Sequence, residues 1–197
     1  MKKLTLAIFL SLILMLAANI ITNAAEVESL EDKFVRIHVI ANSDSEDDQA
    51  LKLKVRDAIL ETAETFLTDC SDKSAAMALI QDNLKKIQSA AEEEITRNGY
   101  SYSVCCTLAK ETFDARVYDD FTLPAGEYDS LCVRIGEAGG KNWWCVCYPQ
   151  LCIGAATKID DSGLLTDGEL RIVKEPQKVR YKLWCFEVVK KLKSFFE

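Results

Sequence analysis

The segment that most constrains the fold runs from Val35 to Leu60, where a strand pattern passes through a short polar turn into an amphipathic helix. Side chains alternate in character between Phe34 and Ile40, as they do in a strand with one buried face. Ser45 and Asp48 have the spacing of a capping box, in which polar side chains satisfy N–H groups at a helix start. Apolar residues then recur at helical spacing, at Leu51, Val55, Ile59 and Phe66. The segment therefore predicts a βα unit.

A second helix and three strands are predicted after this unit. The helix begins after Ser71 and ends at Asn98-Gly99, a typical C-terminal stop. Alternating residues then predict three strands, at Tyr100–Ala109, Glu127–Ile135 and Asn142–Tyr148. The loop from Glu137 to Lys141 has a length that suits a hairpin between the last two strands. The last strand is apolar on both faces, which predicts a central position in the sheet.

The C-terminal part of the sequence is less informative. Asp160 to Gly163 and Thr166 to Gly168 are typical of turns. A final helix is predicted from about Lys178 to Phe196. The order β-α-α-β-β-β-α predicts an α+β fold in which helices pack on a mostly antiparallel sheet.

The N-terminus has the features of an export signal. Lys2 and Lys3 precede an uncharged apolar run from Leu4 to Ile21, and small residues follow at Ala24 and Ala25. Residues 1–25 are therefore predicted to be a signal peptide. An uncleaved membrane anchor is the alternative, because the run is close to the shortest length that can span a bilayer. In both cases residues 26–197 are predicted to form a single exported domain.

Charge and the inventory of metal-binding residues exclude some classes of function. The chain has 24 basic and 31 acidic residues, a net charge of −7, so we expect no nucleic-acid partner. Its eight cysteines would suggest disulfides in an exported protein, but we expect several to be buried as small hydrophobic residues. There is one histidine and no C-x-x-C pair. We therefore expect neither a zinc site nor another cofactor.

Two residues are candidates for catalysis. His38 could act as a base if a cysteine and Asp44 lay beside it as nucleophile and orienting group. Asp161-Ser162-Gly163 is similar to the motif of aspartic proteases, but it lacks the preceding apolar strand and fits a turn better. We expect His38 to have a structural or partner-contact role. The alternative is an exported hydrolase that uses His38 or Asp161.

Two longer segments match one protein family. HVIANSDSEDDQALKLKVRDAIL, at His38 to Leu60, and LPAGEYDSLCVRIGEAGGKNWWCVCYPQLC, at Leu123 to Cys152, occur in the order and spacing of the family's motifs. They resemble the stage II sporulation protein R family, the exported signalling proteins of endospore-forming bacteria. The second segment is similar to that family's LPAGEY, IGEG-type turn and NWWCV…P.LC motifs. The chain departs from the pattern at Gln150, where a second proline is expected, and in extra cysteines at 105, 106, 132 and 147.

The resemblance implies a signal and not an enzyme. Family members are made in the forespore and secreted across its membrane into the intermembrane space. There they trigger a membrane-embedded aspartic protease that removes the pro-sequence of the mother-cell sigma factor E. The resemblance thus implies activation by protein contact. A scaffold of the septal space is a further alternative.

The predicted partner contacts are His38, Asn42, Ser43 and Asp44. The family-like match continues through three polar residues at the strand-to-helix corner, whereas capping needs only one or two of them. The alternative is that Asn42 and Asp44 only shape the turn.

The resemblance also carries Cys145 and Cys152. If the chain turns back at Tyr148-Pro149, these two cysteines become opposed and come within disulfide reach. Alternatively, Pro149 ends the strand without a tight turn.

Overall fold

The computed structural model describes residues 9–11, 14–15, 18, 25–68, 70, 72–118, 121–149 and 165–174. The chain divides into two compact units. The larger unit comprises Glu31–Phe113 and Gly126–Leu164, and the smaller comprises Met1–Leu30, Asp114–Ala125 and Leu165–Glu197. This division does not test whether residues 26–197 are one domain, so the single domain stays a prediction.

Among the described elements, a helix and a strand are followed by three consecutive helices, five consecutive strands and a last helix. The helices are α1 (residues 25–31), α2 (Glu46–Leu67), α3 (Lys73–Asp82), α4 (Leu84–Arg97) and α5 (Asp167–Lys174). The strands are β1 (Val35–Ile40), β2 (Val104–Phe113), β3 (Arg116–Val117), β4 (Thr122–Leu123), β5 (Gly126–Ile135) and β6 (Asn142–Tyr148).

The larger unit is built on a four-stranded sheet with the order β2-β5-β1-β6. β1 pairs parallel with β5 and antiparallel with β6, and β2 pairs antiparallel with β5. Together with the helices this is a mixed but mostly antiparallel α+β arrangement. The predicted fold class is therefore confirmed.

The predicted hairpin between β5 and β6 is wrong, because β1 lies between these two strands. The parallel pairing of β1 with β5 places the C-terminal ends of these two strands next to each other, at the same end of the sheet. The loop at Gly136 to Lys141 therefore crosses the end of β1 before the chain returns as β6. Loop length alone cannot distinguish a hairpin from such a crossover. Among the described strands, β6 is also at the edge of the sheet and not central as predicted.

The two faces of β1 have different surroundings. Val35, Ile37 and Val39 are fully buried, and α2 contacts this strand with an apolar stripe that includes Leu51, Val55 and Ile59. Arg36 and His38 point to the other face and are also buried. The Arg36 guanidinium carbon lies 4.0 Å from the centroid of the Phe113 ring and 5.1 Å from that of Tyr128. Such cation–π contacts favour a buried cation.

The predicted second helix is divided into α3 and α4 at Asn83. The backbone N–H and the side-chain Nδ2 of Asn83 both donate to the carbonyl of Leu79, at 3.0 and 2.9 Å. A short amide side chain competes in this way with the helical hydrogen-bond ladder. The sequence did not predict this break, because apolar residues continue at helical spacing across Asn83.

The smaller unit has its own buried apolar residues: Val27, Leu30, Phe121, Leu123, Ile172 and Val173. The predicted turn at Thr166 to Gly168 is wrong, since α5 begins at Asp167. Glu169 accepts a hydrogen bond from the Thr166 N–H at 2.6 Å, and its own N–H donates to Thr166 Oγ1 at 3.4 Å. This is a capping box, and its Thr-x-x-Glu spacing was present in the sequence.

Several predicted features lie outside the described residues, namely the turn at Asp160 to Gly163 with Asp161, the final helix at Lys178 to Phe196, and most of the N-terminal apolar run. Within the described ranges, no helix combines the length and apolarity needed to cross a membrane.

Cys145 is disulfide-bonded, whereas Cys70, Cys105, Cys106, Cys132 and Cys147 are free thiols. The partner of Cys145 lies outside the described residues, as does Cys152. The predicted pairing of Cys145 with Cys152 therefore stays a prediction.

Non-reducing peptide mapping by mass spectrometry tests this pairing. We expect a peptide in which Cys145 is joined to Cys152 and which separates into two after reduction. A bond from Cys145 to Cys185, or free thiols at both 145 and 152 under oxidising conditions, would contradict it.

A second prediction concerns Ala138 in the loop between β5 and β6. Its φ of 51° lies in the left-handed region, where a Cβ atom costs about 1–2 kcal/mol. Replacing Ala138 by glycine should raise the free energy of unfolding by roughly 0.5–1 kcal/mol, since the added freedom of the unfolded chain offsets part of the gain. Denaturant unfolding measures the change. As the matched control, Ala90→Gly within α4 should lower stability by about 1 kcal/mol; equal losses in both variants would contradict the strain at Ala138.

Candidate functional site

The predicted contact residues Asn42, Ser43 and Asp44, here called the corner, lie where β1 leads into α2. The loop Gly136 to Lys141, here called the crossover loop, is fastened to them and to their neighbours by hydrogen bonds. Asn42 Oδ1 accepts the Glu137 N–H at 3.0 Å, and Asp44 Oδ1 accepts the Lys141 N–H at 2.6 Å. The carbonyls of Asn42 and Ala41 accept the N–H groups of Gly139 and Gly140, both at 3.0 Å.

The close approach of the corner and the crossover loop requires glycine at two positions. A Cβ on Gly140 would lie 2.2 Å from the Ser43 carbonyl oxygen, and one on Gly136 would lie 2.2 Å from Asn42 Oδ1. Gly136 also has a φ of 56°, in the region that favours glycine. The two segments are thus packed backbone to backbone.

Asp48 stabilises the corner by accepting hydrogen bonds from two of its side chains. Its Oδ2 accepts hydrogen bonds from Asn42 Nδ2 at 2.9 Å and from Ser43 Oγ at 2.5 Å. These bonds hold the pKa of the Asp48 carboxyl below its usual range, so its charged form contributes stability at neutral pH that is lost as the pH falls through the lowered pKa. The predicted capping box is formed only in part. The Asp48 N–H donates to Ser45 Oγ at 3.2 Å, but the Ser45 N–H donates to Ser43 Oγ.

Lys52 holds the far end of the crossover loop. Its side chain is almost completely buried, and Nζ donates to the Lys141 carbonyl at 2.9 Å and to Gln49 Oε1 at 2.6 Å. Burial lowers the pKa of this amine, while the nearby Asp44 carboxylate opposes that effect. Lys52 is therefore a buried structural residue that holds the crossover loop in place, and not an exposed surface charge.

The outer side of the assembly is formed by the side chains of Asp44, Glu137 and Lys141, which are exposed. In the described parts of the chain, the side chains of Glu137 and Lys141 take part in no hydrogen bond. The corner residues chiefly hold the loop in place, and the loop carries the groups that are available to a partner.

His38 does not belong to the corner. It is 7% exposed and stacks on Trp144 with a centroid distance of 3.7 Å. Its Nδ1 lies 3.0 Å from Glu111 Oε2 and 4.0 Å from Cys132 Sγ. The structure thus places His38 in the sheet beside a cysteine, as the catalytic hypothesis required, and beside Glu111, which sequence analysis did not connect with it. Its predicted contact with a partner stays a prediction.

The surroundings of His38 do not match a Cys-His-acid triad. In such a triad the nucleophile and the acid address opposite ring nitrogens, whereas Cys132 and Glu111 both lie beside Nδ1. Burial raises the pKa of the Cys132 thiol to about 12, the opposite of what an activated nucleophile needs. Asp44, the predicted orienting group, binds the crossover loop instead.

Comparison with known proteins identifies one family. The model of the stage II sporulation protein R family matches residues 31–158, which include the corner and the crossover loop. Stage II sporulation protein R of Bacillus subtilis (strain 168) is 34% identical over 123 residues, which are 62% of this chain and 55% of that protein. The chain thus spans about half the length of this curated relative. No solved structure is significantly similar.

The family model matches more than half of the chain, and the matched residues include both the corner and the crossover loop. The protein belongs to the stage II sporulation protein R family.

Proposed function

We propose that this protein is an exported signal of endospore formation that activates, by direct contact, the membrane-embedded aspartic protease that processes pro-sigma E in the mother cell. In this proposal residues 1–25 direct export from the forespore into the intermembrane space. The protein acts there as a ligand and not as an enzyme.

The observation that carries the proposal is the interlocking of the corner and the crossover loop. The two segments are about 95 residues apart in sequence, yet direct hydrogen bonds join them. Each belongs to one of the two segments that resemble the family's motifs. A shared surface built from both would bring the two motifs together in one contact site.

The geometry supports a preformed contact surface. Backbone hydrogen bonds and the buried groups of Asp48 and Lys52 hold the loop before any partner binds. A surface that is already ordered loses little conformational entropy on binding, which favours affinity. It presents a carboxylate at Glu137 and an ammonium at Lys141, both exposed.

Activation requires that the ligand bind the competent state of the protease more tightly than the resting state. A tenfold shift in that equilibrium needs about 1.4 kcal/mol of differential contact free energy. One or two well-placed side chains at an interface can supply this amount.

The first test replaces Glu137 and Lys141 together by alanine in the full-length chain. The chain is co-produced with the protease and its pro-sigma E substrate, and cleavage is followed by immunoblotting. We expect cleavage to fall more than about tenfold while export and the unfolding free energy stay within ~0.5 kcal/mol of the parent, because the backbone bonds remain. Glu93→Ala with Lys85→Ala, which removes the same two charges from exposed positions of α4, should leave cleavage unchanged.

Two outcomes of this test are distinct. Full cleavage by the Glu137 and Lys141 double variant, at normal export, would place the contact surface elsewhere. If the parent chain itself causes no cleavage, or only self-assembles, the activator function fails and a hydrolase or a scaffold becomes the better explanation.

A second test separates the corner from the crossover loop. Gly140→Ala forces its Cβ against the Ser43 carbonyl, so we expect a loss of about 1–3 kcal/mol in unfolding free energy and a loss of activation. Gly139→Ala is the matched control, because its Cβ would lie 3.4 Å from the nearest atom, an ordinary contact. If the two alanine variants have equal stability and activity, close packing of these segments is not required for function.

A further inference from the structure

The side chains of His38, Glu111 and Cys132 converge on the face of the sheet opposite α2. They come from three neighbouring strands, β1, β2 and β5, and His38 and Cys132 are direct partners in the parallel register. Their ligand atoms all lie within 4.8 Å of one another. Glu111 is about one-fifth exposed, and the other two residues are buried.

We propose that His38, Glu111 and Cys132 form a binding site for a divalent transition-metal ion, of which zinc fits the ligands best. Imidazole nitrogen, thiolate and carboxylate are the three ligand types that zinc accepts in proteins. This inference does not depend on the activator function proposed above.

The distances fit this coordination. Tetrahedral zinc with bonds of ~2.0–2.3 Å holds its ligand atoms roughly 3.5 Å apart. The observed separations from His38 Nδ1 are 3.0 Å to Glu111 Oε2 and 4.0 Å to Cys132 Sγ, each about half an ångström from the tetrahedral value. The ligand atoms of Glu111 and Cys132 lie within 4.8 Å of each other, so an ion would draw this pair together. Both neighbours lie beside the same ring nitrogen, which is the arrangement that a shared ion requires.

The charges balance as well. Binding forms bonds from the metal to Nδ1, to Sγ and to one carboxylate oxygen, while the Cys132 thiol releases its proton to solvent and the imidazole keeps its proton on Nε2. No electron is transferred. One thiolate and one carboxylate neutralise a dication, which lowers the cost of burying each charge.

The residues around the three ligands support their positions. Trp144 stacks on the His38 ring with an interplanar angle of 15°, which fixes the ring plane. Arg134 lies 3.6 Å from Glu111 Oε1, the oxygen that does not face His38. Three protein ligands leave a fourth tetrahedral position for water or for a group from a partner.

The test uses the full-length chain, purified without oxygen in a mild detergent, with Co²⁺ as a spectroscopic probe and Zn²⁺ as the competitor. We expect one equivalent of Co²⁺ to give a thiolate-to-cobalt charge-transfer band and intense tetrahedral d–d bands, both removed by Zn²⁺. Cys132→Ser should abolish the charge-transfer band, and His38→Gln and Glu111→Gln should each weaken binding more than about tenfold. Cys105→Ser, which changes an exposed thiol on β2, should bind as the parent does.

A second measurement needs no variant and covers the case in which a ligand substitution prevents folding. In the parent chain, Zn²⁺ should slow alkylation of Cys132 relative to Cys106, a buried free thiol on the same sheet. A charge-transfer band that survives in folded Cys132→Ser, its loss in Cys105→Ser, or equal protection of both thiols by Zn²⁺ would overturn the proposal.

Discussion

The parallel pairing of β1 with β5 is the constraint on which the larger unit depends. It puts β1 between two strands that are consecutive in sequence, so the connection between those strands must cross the end of β1. The polar residues that follow β1 then lie within hydrogen-bonding distance of the crossover loop. A direct hairpin of β5 and β6 would not have to cross the end of β1.

The sequence predicted local secondary structure better than it predicted which strands are neighbours in the sheet. The strand β1, the helix start at Ser45 and the α+β class follow from periodicity and capping, which depend on nearby residues. The crossover at Gly136 to Lys141 could not be predicted, because the choice between β6 and β1 as the neighbour of β5 is made by packing. The break at Asn83 was hidden by an uninterrupted apolar stripe. The helix start at Thr166 has the Thr-x-x-Glu spacing of a capping box, although Asp167-Gly168 within it is typical of a turn.

The candidate sites show the same limit. Asn42 and Asp44 could be selected because they follow a strand in a matched motif, but the loop they hold could not be identified. The cluster of His38, Glu111 and Cys132 has no linear motif, since its members are separated by 73 and 94 residues from His38. A search for metal-binding spacings therefore finds nothing, although a sheet places the three residues side by side.

Surface loops usually accept inserted and deleted residues, because few of their backbone groups have fixed partners. The crossover loop differs, since the backbone groups of Glu137, Gly139, Gly140 and Lys141 each have a partner in the corner, at the preceding Ala41 or on α2. One added residue would shift these pairings by one position and carry Gly140 away from the Ser43 carbonyl. Insertions and deletions in the crossover loop are thus restricted, and a change in its length alters the start of α2 as well as the loop itself.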